Sequence, residues 1–180
     1  YDCARAMNFL HQNGIVHRDL KLDDLLVVSL DPHSQVVCKL SDFGSMKKKQ
    51  IAMGKSMTTT NMAGVGTPYF MSPELLRENP RFTNKVDVFS FGITLAGTIK
   101  GDQPYDEKEG LSYLEFVNQV VDRGMRPKVR NADSVPSDLI KLMQECWDFF
   151  PDKRPSFETV MGRIKVILDD LRRQSRRLRS

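Results

Sequence analysis

The spacing of apolar residues divides the chain into a helical start, a short strand-rich stretch and a long helical remainder. In the first thirteen residues, Cys3, Ala6, Met7 and Leu10 fall on one face of a helix that should end near Gly14. Three short apolar runs with strand character follow, reading IV, LLVV and VVCKL. Four stretches with helical periodicity complete the chain: NKVDVFSFGITLAGTIK, LSYLEFVNQVVDRG, SDLIKLMQECWDFF and SFETVMGRIKVILDDLRR. The pattern predicts a mainly α domain with a few short β-strands near its N-terminal side.

The connector between the first two strand-like runs is rich in titratable side chains. It reads HRDLKLDD and carries His17, Arg18, Lys21 and three aspartates within eight residues. Because buried strands would hold both of its ends, it is a loop on a rigid support, and such loops often carry binding or catalytic groups. A solvated turn is the alternative, since charged connectors are common.

Length and composition are those of one globular domain. The 180 residues are 40% hydrophobic and 28% charged, which is the profile of a single soluble domain with one core. No apolar run is long enough for a membrane span, and the chain opens directly into a helical pattern without a signal peptide. We therefore expect no membrane span and a cytoplasmic location.

The cysteines show no sign of a metal site or a disulfide framework. Cys3, Cys38 and Cys146 are far apart and form no C-x-x-C pair, and no histidine lies at the spacing of a zinc site. The sequence predicts buried free thiols, as expected in a reducing compartment.

Positive charge is concentrated at the C-terminal end. The formal net charge is +4, yet the last ten residues, LRRQSRRLRS, contain five arginines and no acidic residue. The preceding 170 residues hold 22 basic and 23 acidic groups, so the body of the protein has no nucleic-acid signature. Contact of the tail with phosphate or an acidic membrane face is the alternative to a frayed, solvated helix end, which we favour for so short a run. The sequence thus predicts a domain over 1–168 and a basic helix end or tail over 169–180.

A stretch without clear periodicity covers residues 44–67. It is rich in Gly, Ser, Thr, Lys and Met, and a structureless segment of this length in a compact domain is usually functional or disordered. It begins in SDFG, residues 41–44, and ends at GTPYFMSPE, residues 66–74. We expect this segment to be mobile between two fixed ends.

Five motifs in a fixed order carry a resemblance to a known family. HRDLKLDD, DFG, SPE, DVFSFGI and CWDFFPDKRPSF resemble the catalytic loop, the metal-binding motif, the end of the activation segment, the central buried helix and the late arginine stretch of eukaryotic protein kinases. The match covers nearly the whole chain and corresponds to the larger, C-terminal lobe of the catalytic domain. It implies a protein kinase-like C-lobe fold and ATP-dependent phosphoryl transfer to a protein substrate.

The resemblance also implies roles around the transferring phosphate. Asp19 would accept or orient the proton of the substrate hydroxyl, and Lys21 would reach the phosphate. Asp42 would hold Mg²⁺ between the ATP phosphates, with Asp24 as a further oxygen ligand, because hard cations prefer carboxylate oxygen. Leu26 would pack beneath the adenine ring, and a plain core leucine is the alternative. The implied ligands are ATP and Mg²⁺, with Mn²⁺ as a second candidate metal.

Two positions bear on the substrate class. The chain resembles serine/threonine kinases at both positions: Lys21 stands two residues after Asp19, and Thr67 lies in GTP. By this resemblance, the three side chains would share a hydrogen-bond cluster around the acceptor hydroxyl. The stretches YFMSPE and CWDFFPDKRPSF are similar to the tyrosine-kinase-like branch of serine/threonine kinases. Dual specificity therefore stays open.

Other matched residues are expected to be structural. Glu74 and Arg154 resemble a buried ion pair that ties the activation segment to the helical core. Asp87 would accept backbone N–H groups from the catalytic loop. His17 and Phe43 would stack in the internal hydrophobic spine.

The resemblance further implies regulation by phosphorylation within the aperiodic stretch. Arg18 would capture a phosphate carried by Thr58, Thr59 or Thr60, with a run of three lysines nearby. A polar flexible loop without modification is the alternative.

The chain departs from the family pattern in two places. Asp24 stands where the catalytic loop should end in Asn, so an oxygen for metal is kept, the amide donor is lost and a negative charge is added beside ATP. No glycine-rich GxGxxG loop, VAIK lysine or partner glutamate precedes Tyr1, so the small N-lobe is missing from this chain. We expect the N-lobe to be supplied in cis or in trans. A catalytically impaired pseudokinase-like scaffold and a non-productive fragment are the alternatives.

Overall fold

Helices dominate the computed structural model of this chain. The structure describes residues 1–31, 34–44, 46–48, 57–58, 68–77, 81–106, 110–129 and 132–177. The helices in this part are α1 (Asp2–Gln12), α2 (Lys85–Lys100), α3 (Tyr113–Val121), α4 (Ser137–Cys146) and α5 (Phe157–Arg177). The strands are β1 (Ile15–Val16), β2 (Leu25–Val27), β3 (Cys38–Leu40), β4 (Lys47–Lys48), β5 (Met57–Thr58) and β6 (Arg81–Phe82). The mainly α fold class predicted from periodicity is confirmed.

The strands form separate antiparallel pairs. β1 pairs with β4, with Val16 opposite Lys47, and β2 pairs with β3, with Leu26 opposite Lys39. β5 pairs with β6. Because β1 precedes the polar connector and β2 follows it, both ends of the connector are held by hydrogen-bonded strands, as predicted. The prediction that both strands are buried is wrong for β2, because Leu26 and Val27 are exposed.

α2 is the central helix of the core. It has 16 residues, eleven of them buried, and it lacks the continuous polar face of a surface helix. The helix ends at Gly101, whose φ of 76° is in the left-handed region that glycine tolerates, and the Gly101 N–H donates to the Gly97 carbonyl at 2.8 Å. A helix enclosed on all sides is a fixed platform for the loops that contact it.

Two glycines allow close approach to α2. A Cβ at Gly92 would lie 3.0 Å from the Cys146 Cβ and 3.1 Å from the Met143 carbonyl oxygen, so glycine permits the tight packing of α4. A Cβ at Gly97 would lie 2.8 Å from Leu22 Cδ1 in the polar connector. Gly97 therefore lets the connector rest directly on the central helix.

α1 contacts other elements on two sides, and this changes which of its alanines is buried. Cys3, Ala4, Met7 and Leu10 are buried, whereas Ala6, which the sequence placed on the buried face, is only half-buried. The reason is that α5 packs on one side of α1 and β3 on another, and Ala6 lines an open groove beside β3. The predicted helix is present, and its inward face is rotated slightly.

The cysteines are free thiols, as predicted, but only two are buried. Cys3 and Cys146 are buried and Cys38 is half-buried. Burial raises the pKa of Cys3 and of Cys146 to about 12, and it also raises the pKa of Cys38. The thiols are therefore poor nucleophiles in the folded protein, because the thiolate is the reactive form.

We expect Cys38 to react first with iodoacetamide near pH 8, because access and thiolate fraction together set the rate. Cys3 and Cys146 should be labelled only when the fold opens. Mass spectrometry of peptides from a labelling time course measures the three rates separately. Equal rates for the three thiols in the native protein would contradict the burial described above.

α5 continues beyond the predicted domain end at 168. Its buried residues are Phe157, Val160, Ile164 and Ile167. Residues 170–177 are exposed, so the basic end of the helix leaves the core, although the helix itself is unbroken. The division at 168 stays a prediction. Within the described ranges, no helix is both long and apolar enough to cross a membrane.

Candidate active site

The polar connector is anchored to the core by the buried carboxylate of Asp87 on α2. Asp87 Oδ2 accepts a hydrogen bond from the His17 N–H at 2.8 Å, and Oδ1 accepts one from the Arg18 N–H at 2.7 Å. Arg18 has a φ of 73°, a left-handed conformation that is uncommon for a residue with a Cβ. The two charge-assisted bonds help to hold this conformation. They are the backbone contacts that the resemblance predicted for Asp87.

The ammonium group of Lys21 lies among three carboxylates. Lys21 Nζ is 2.9 Å from Asp19 Oδ2, 3.4 Å from Asp24 Oδ1 and 3.8 Å from Asp42 Oδ2. Asp24 ends a 3₁₀ turn, Leu22–Asp24, and Asp42 follows β3. The structure therefore brings together the four side chains that the sequence analysis placed around the phosphate. We call these four residues the Lys21 cluster.

Burial and ion pairing shift the pKa values of Lys21 and Asp24 in opposite directions. The Asp24 side chain is 2% exposed, and burial raises its pKa against the opposing charge of Lys21. Burial lowers the pKa of Lys21, but its hydrogen bond to Asp19 and the charges of Asp19 and Asp24 outweigh this, so the pKa is raised overall. Lys21 is thus firmly protonated at neutral pH, whereas the negative charge on buried Asp24 is costly to maintain.

Asp42 faces the cluster from a turn with unusual backbone geometry. Its φ is 57°, a left-handed conformation that Asp tolerates better than most residues. Asp42 Oδ1 accepts a hydrogen bond from the Gly44 N–H at 3.1 Å, while Oδ2 is the atom nearest Lys21. The Ser41 N–H and hydroxyl both donate to the Asp24 carbonyl, at 2.8 and 3.1 Å. These bonds fix the DFG turn relative to the end of the polar connector.

The carboxylates of Asp24 and Asp42 suit a divalent cation that also binds phosphate. Mg²⁺ commonly takes one or two protein carboxylates and completes its coordination with water and substrate phosphate oxygens. In the part of the chain that the structure describes, no three His, Cys, Asp or Glu side chains form a complete metal-binding group. Oxygens of phosphate or water would therefore supply the remaining ligands of a cation held here.

Leu26 and Phe43 lie outside the protein core. Leu26 is 52% exposed, so the alternative of a core leucine is wrong, and its contact with adenine stays a prediction. Phe43 is 57% exposed and lines the open groove between α1 and β3. The predicted stacking of Phe43 on His17 in an internal spine is wrong, because the Phe43 side chain lines that exposed groove instead. His17 is 1% exposed, and neither ring nitrogen has a hydrogen-bond partner among the described residues.

Arg154 and Glu74 form the predicted ion pair. Arg154 Nη1 donates to Glu74 Oε1 at 2.6 Å and Nη2 to Oε2 at 3.0 Å, which is a bidentate arrangement. Arg154 is 1% exposed, and its N–H groups also donate to the carbonyls of Asp148, Phe149 and Lys85. The pair ties the end of the SPE motif to the start of α2 and to the turn before α5.

Most of the predicted activation segment lies outside the described residues. Three of the candidate residues fall there: Thr59, Thr60 and Thr67. Of Thr58 the backbone is described, and it lies in β5 opposite Arg81. Arg18 is 6% exposed, and burial lowers the pKa of its guanidinium against the opposing charge of Asp87. The mobility of the segment and the capture of a phosphate by Arg18 stay predictions.

Two side chains near Asp87 were not predicted from the sequence. His11 Nε2 is 2.7 Å from Asp87 Oδ2, and Asn84 Nδ2 is 3.2 Å from His11 Nδ1. These contacts join residues 76 and 73 positions apart, so no local spacing signals them. One signal in the sequence could have indicated the contact of His11: a histidine lies near the apolar face of α1, and a buried imidazole needs a polar partner.

Comparison with known proteins gives matches over nearly the whole chain. The protein kinase domain family matches residues 1–163. The chain is 34% identical to the probable serine/threonine-protein kinase gdt4 of Dictyostelium discoideum over 98% of its length. It is 39% identical to the dual specificity protein kinase shkD of the same organism and 33% identical to the serine/threonine-protein kinase STY17 of Arabidopsis thaliana, each over 94% of its length.

The chain spans a small part of these relatives. It covers 10% of gdt4, 21% of shkD and 27% of STY17. The family match over residues 1–163 includes the Lys21 cluster, the Asp87 anchor and the Glu74–Arg154 pair. From the motifs, their geometry and this match, the chain belongs to the protein kinase domain family.

Proposed function

We propose that this chain is the acceptor-side part of a protein kinase that transfers a phosphoryl group from ATP to Ser or Thr hydroxyls of protein substrates. The observation that carries the proposal is the Lys21 cluster, in which one ammonium lies 2.9–3.8 Å from three carboxylates. The names of the relatives support it, since gdt4 and STY17 are named as serine/threonine kinases and shkD as a dual specificity kinase.

Each residue of the Lys21 cluster has its own task in this proposal. Asp19, whose side chain is 11% exposed, accepts the hydrogen bond of the acceptor hydroxyl. It takes the hydroxyl proton as the oxygen bonds to the γ-phosphorus of ATP, while the bond from that phosphorus to the bridging oxygen breaks and ADP leaves with the electron pair. Lys21 holds Asp19 in place and offers its charge to the phosphate oxygens. Asp24 and Asp42 would hold Mg²⁺ or Mn²⁺, which would supply positive charge to neutralise the phosphate.

The proposal requires a nucleotide-binding N-lobe, supplied in cis by a longer protein or in trans by another chain. Leu26, Val27 and Val28 on and after β2 are exposed apolar side chains, as is Phe43 in the DFG turn. A second lobe that covers these side chains would enclose the cluster and exclude water from it. Because positioning supplies much of the barrier reduction in phosphoryl transfer, the chain alone should bind ATP weakly and transfer no measurable phosphate.

A fusion that places the N-lobe of a related kinase before Tyr1 tests the proposal. We expect phosphate transfer from Mg²⁺–ATP to peptides with Ser or Thr, and Asp19→Ala should lower the rate by about 10²-fold or more. Asp23→Ala is the matched control, because Asp23 is an exposed neighbour in the same loop. Radiolabelled phosphate on Ser, Thr and Tyr peptides gives both rate and specificity.

The outcome separates the enzyme from its alternatives. A fusion that binds ATP but transfers no phosphate would overturn the proposal in favour of a binding scaffold. Equal rates in Asp19→Ala and Asp23→Ala would remove Asp19 from the reaction. Transfer to Tyr peptides at the same rate as to Ser and Thr would replace the serine/threonine assignment with dual specificity.

A further inference from the structure

Asp87 has a third partner besides the two backbone groups that it anchors. His11, near the end of α1, has its Nε2 at 2.7 Å from Asp87 Oδ2. The His11 side chain is 8% exposed and that of Asp87 is 0% exposed. A carboxylate buried so completely depends on its hydrogen-bond donors, because unpaired charge in the interior is strongly unfavourable. His11 therefore belongs to the set of groups that determine how Asp87 is oriented.

The neighbour of the second imidazole nitrogen decides where the His11 proton lies. His11 Nδ1 is 3.2 Å from Nδ2 of Asn84, and an amide NH₂ can only donate. Nδ1 must then accept, which leaves the single proton of a neutral imidazole on Nε2, pointing at Asp87. Phe157 packs edge-on against the ring with centroids 4.9 Å apart, which restricts its rotation.

We infer that Asn84 and His11 are positioning residues for the catalytic loop. Asn84 holds His11 as the Nε2–H tautomer, and His11 in turn orients the Asp87 carboxylate toward the N–H groups of His17 and Arg18. We call Asn84, His11 and Asp87 the relay. The inference rests on the proposed function, since it gives the relay a role in catalysis through the loop that the relay holds.

The relay acts on Asp19 through the backbone. Arg18 directly precedes Asp19, and its left-handed φ of 73° is held by the hydrogen bond from its N–H to Asp87. A rotated Asp87 carboxylate would weaken that bond and allow Arg18 to relax toward an ordinary conformation. The direction of the Asp19 side chain would change with it. The relay thus connects the start of α2 and the end of α1 to the acceptor-side carboxylate.

Nitrogen-15 NMR of the histidine side chains in the 180-residue chain tests the tautomer. We expect an unprotonated Nδ1 and a protonated Nε2 for His11. Asn84→Asp offers only acceptor oxygens, so it should place a proton on Nδ1 and change that signal. A protonated Nδ1 in the native protein, or no change of the His11 signals in Asn84→Asp, would overturn the role of Asn84.

Amide hydrogen exchange tests the effect on the loop. In Asn84→Leu and in His11→Phe, the His17 and Arg18 amides should exchange about tenfold faster or more, because each variant removes a donor that holds Asp87 or its partner. His11→Gln should restore much of the protection, since its side-chain amide can donate to Asp87. Asn13→Leu is the matched control: Asn13 caps the same end of α1 through a 2.8 Å bond to the Phe9 carbonyl and has no contact with Asp87 among the bonds described.

The pattern across the variants decides between positioning and general stabilisation. A uniform loss of protection over the whole chain in Asn84→Leu, or equal effects of Asn84→Leu and Asn13→Leu on the two amides, would overturn the relay. Should His11→Phe fail to fold, Asn84→Leu still gives the answer, because Asn84 is only half-buried and precedes α2.

Kinetics of the N-lobe fusion separate the relay from the proposed function. Asn84→Leu should lower kcat about tenfold with little change in KM, since the relay contacts no substrate group. An inactive fusion would remove the proposed function and leave the tautomer and exchange results standing. An active fusion in which Asn84→Leu alters neither kcat nor amide exchange would overturn the relay and leave the proposed function intact.

Discussion

Replacing Arg154 with alanine should lower the free energy of unfolding by about 3–5 kcal/mol, because it leaves the Glu74 carboxylate without its partner. Arg154 is 1% exposed and holds both oxygens of Glu74 at 2.6 and 3.0 Å. The same substitution removes the Arg154 N–H groups that donate to the carbonyls of Asp148, Phe149 and Lys85. Loss of packing by the long side chain adds to these costs.

Urea denaturation followed by the fluorescence of Trp147, the single tryptophan, measures the change. Arg173→Ala is the control, because Arg173 is 72% exposed and its pair with Asp170 at 3.5 Å should contribute less than about 1 kcal/mol. Glu74→Gln keeps an oxygen for Arg154 and should cost less than Arg154→Ala. Equal small effects of Arg154→Ala and Arg173→Ala would show that the ion pair does not hold the fold together.

The helices could be predicted because their signals are local. The sequence predicted a helix over residues 84–100, and α2 is Lys85–Lys100. Its apolar residues continue without a polar face. Gly101 directly follows the helix, and glycine readily adopts the left-handed conformation that often ends a helix. Likewise, the pairing of Glu74 with Arg154 followed from recognised motifs, because each motif fixes the role of a residue whatever its distance along the chain.

Contacts between distant segments could not be predicted in this way. Ala6 and Phe43 have the same apolar character inside or outside the core, and their exposure depends on where β3 lies beside α1. His11 and Asn84 belong to no motif that was recognised, and they meet only because the end of α1 lies next to the start of α2. Sequence patterns report periodicity and local geometry, whereas these contacts depend on how the helices are arranged in space.

The charge balance of the Lys21 cluster is unfavourable for a nucleotide site. Three aspartates surround one lysine, so the fully ionised cluster carries an excess of negative charge next to the position proposed for phosphate. Like charges repel most strongly where water is excluded, as at Asp24, which is 2% exposed. Asp24 Oδ1 is also 3.4 Å from Lys21 Nζ, so it offsets part of the positive charge that Lys21 would offer to the phosphate. Catalysis by this chain therefore depends on how well the cluster tolerates the third carboxylate.

In the N-lobe fusion, Asp24→Asn should raise the rate of phosphoryl transfer by on the order of tenfold, since it restores an amide donor and removes a buried charge. The asparagine oxygen can still accept from the Lys21 N–H, as Asp24 Oδ2 does at 3.1 Å. Because Lys21 Nζ would lose one of its three carboxylates, more of its charge would be available to the phosphate. The smaller negative charge should also weaken any preference for Mn²⁺ over Mg²⁺, as the site has one carboxylate fewer.

Initial rates with Mg²⁺ and with Mn²⁺ measure both effects, and Asp23→Asn is the matched control at an exposed position of the same loop. The free energy of unfolding, measured at neutral and at acidic pH, separates an effect on catalysis from an effect on folding. Burial raises the folded-state pKa of Asp24, so the native protein loses stability as the pH rises through that pKa. Asp24→Asn should therefore be the more stable protein at neutral pH and lose this advantage in acid. A rate that is unchanged or lower in Asp24→Asn, in a fusion that is otherwise active, would mean that the third carboxylate is a working part of the site.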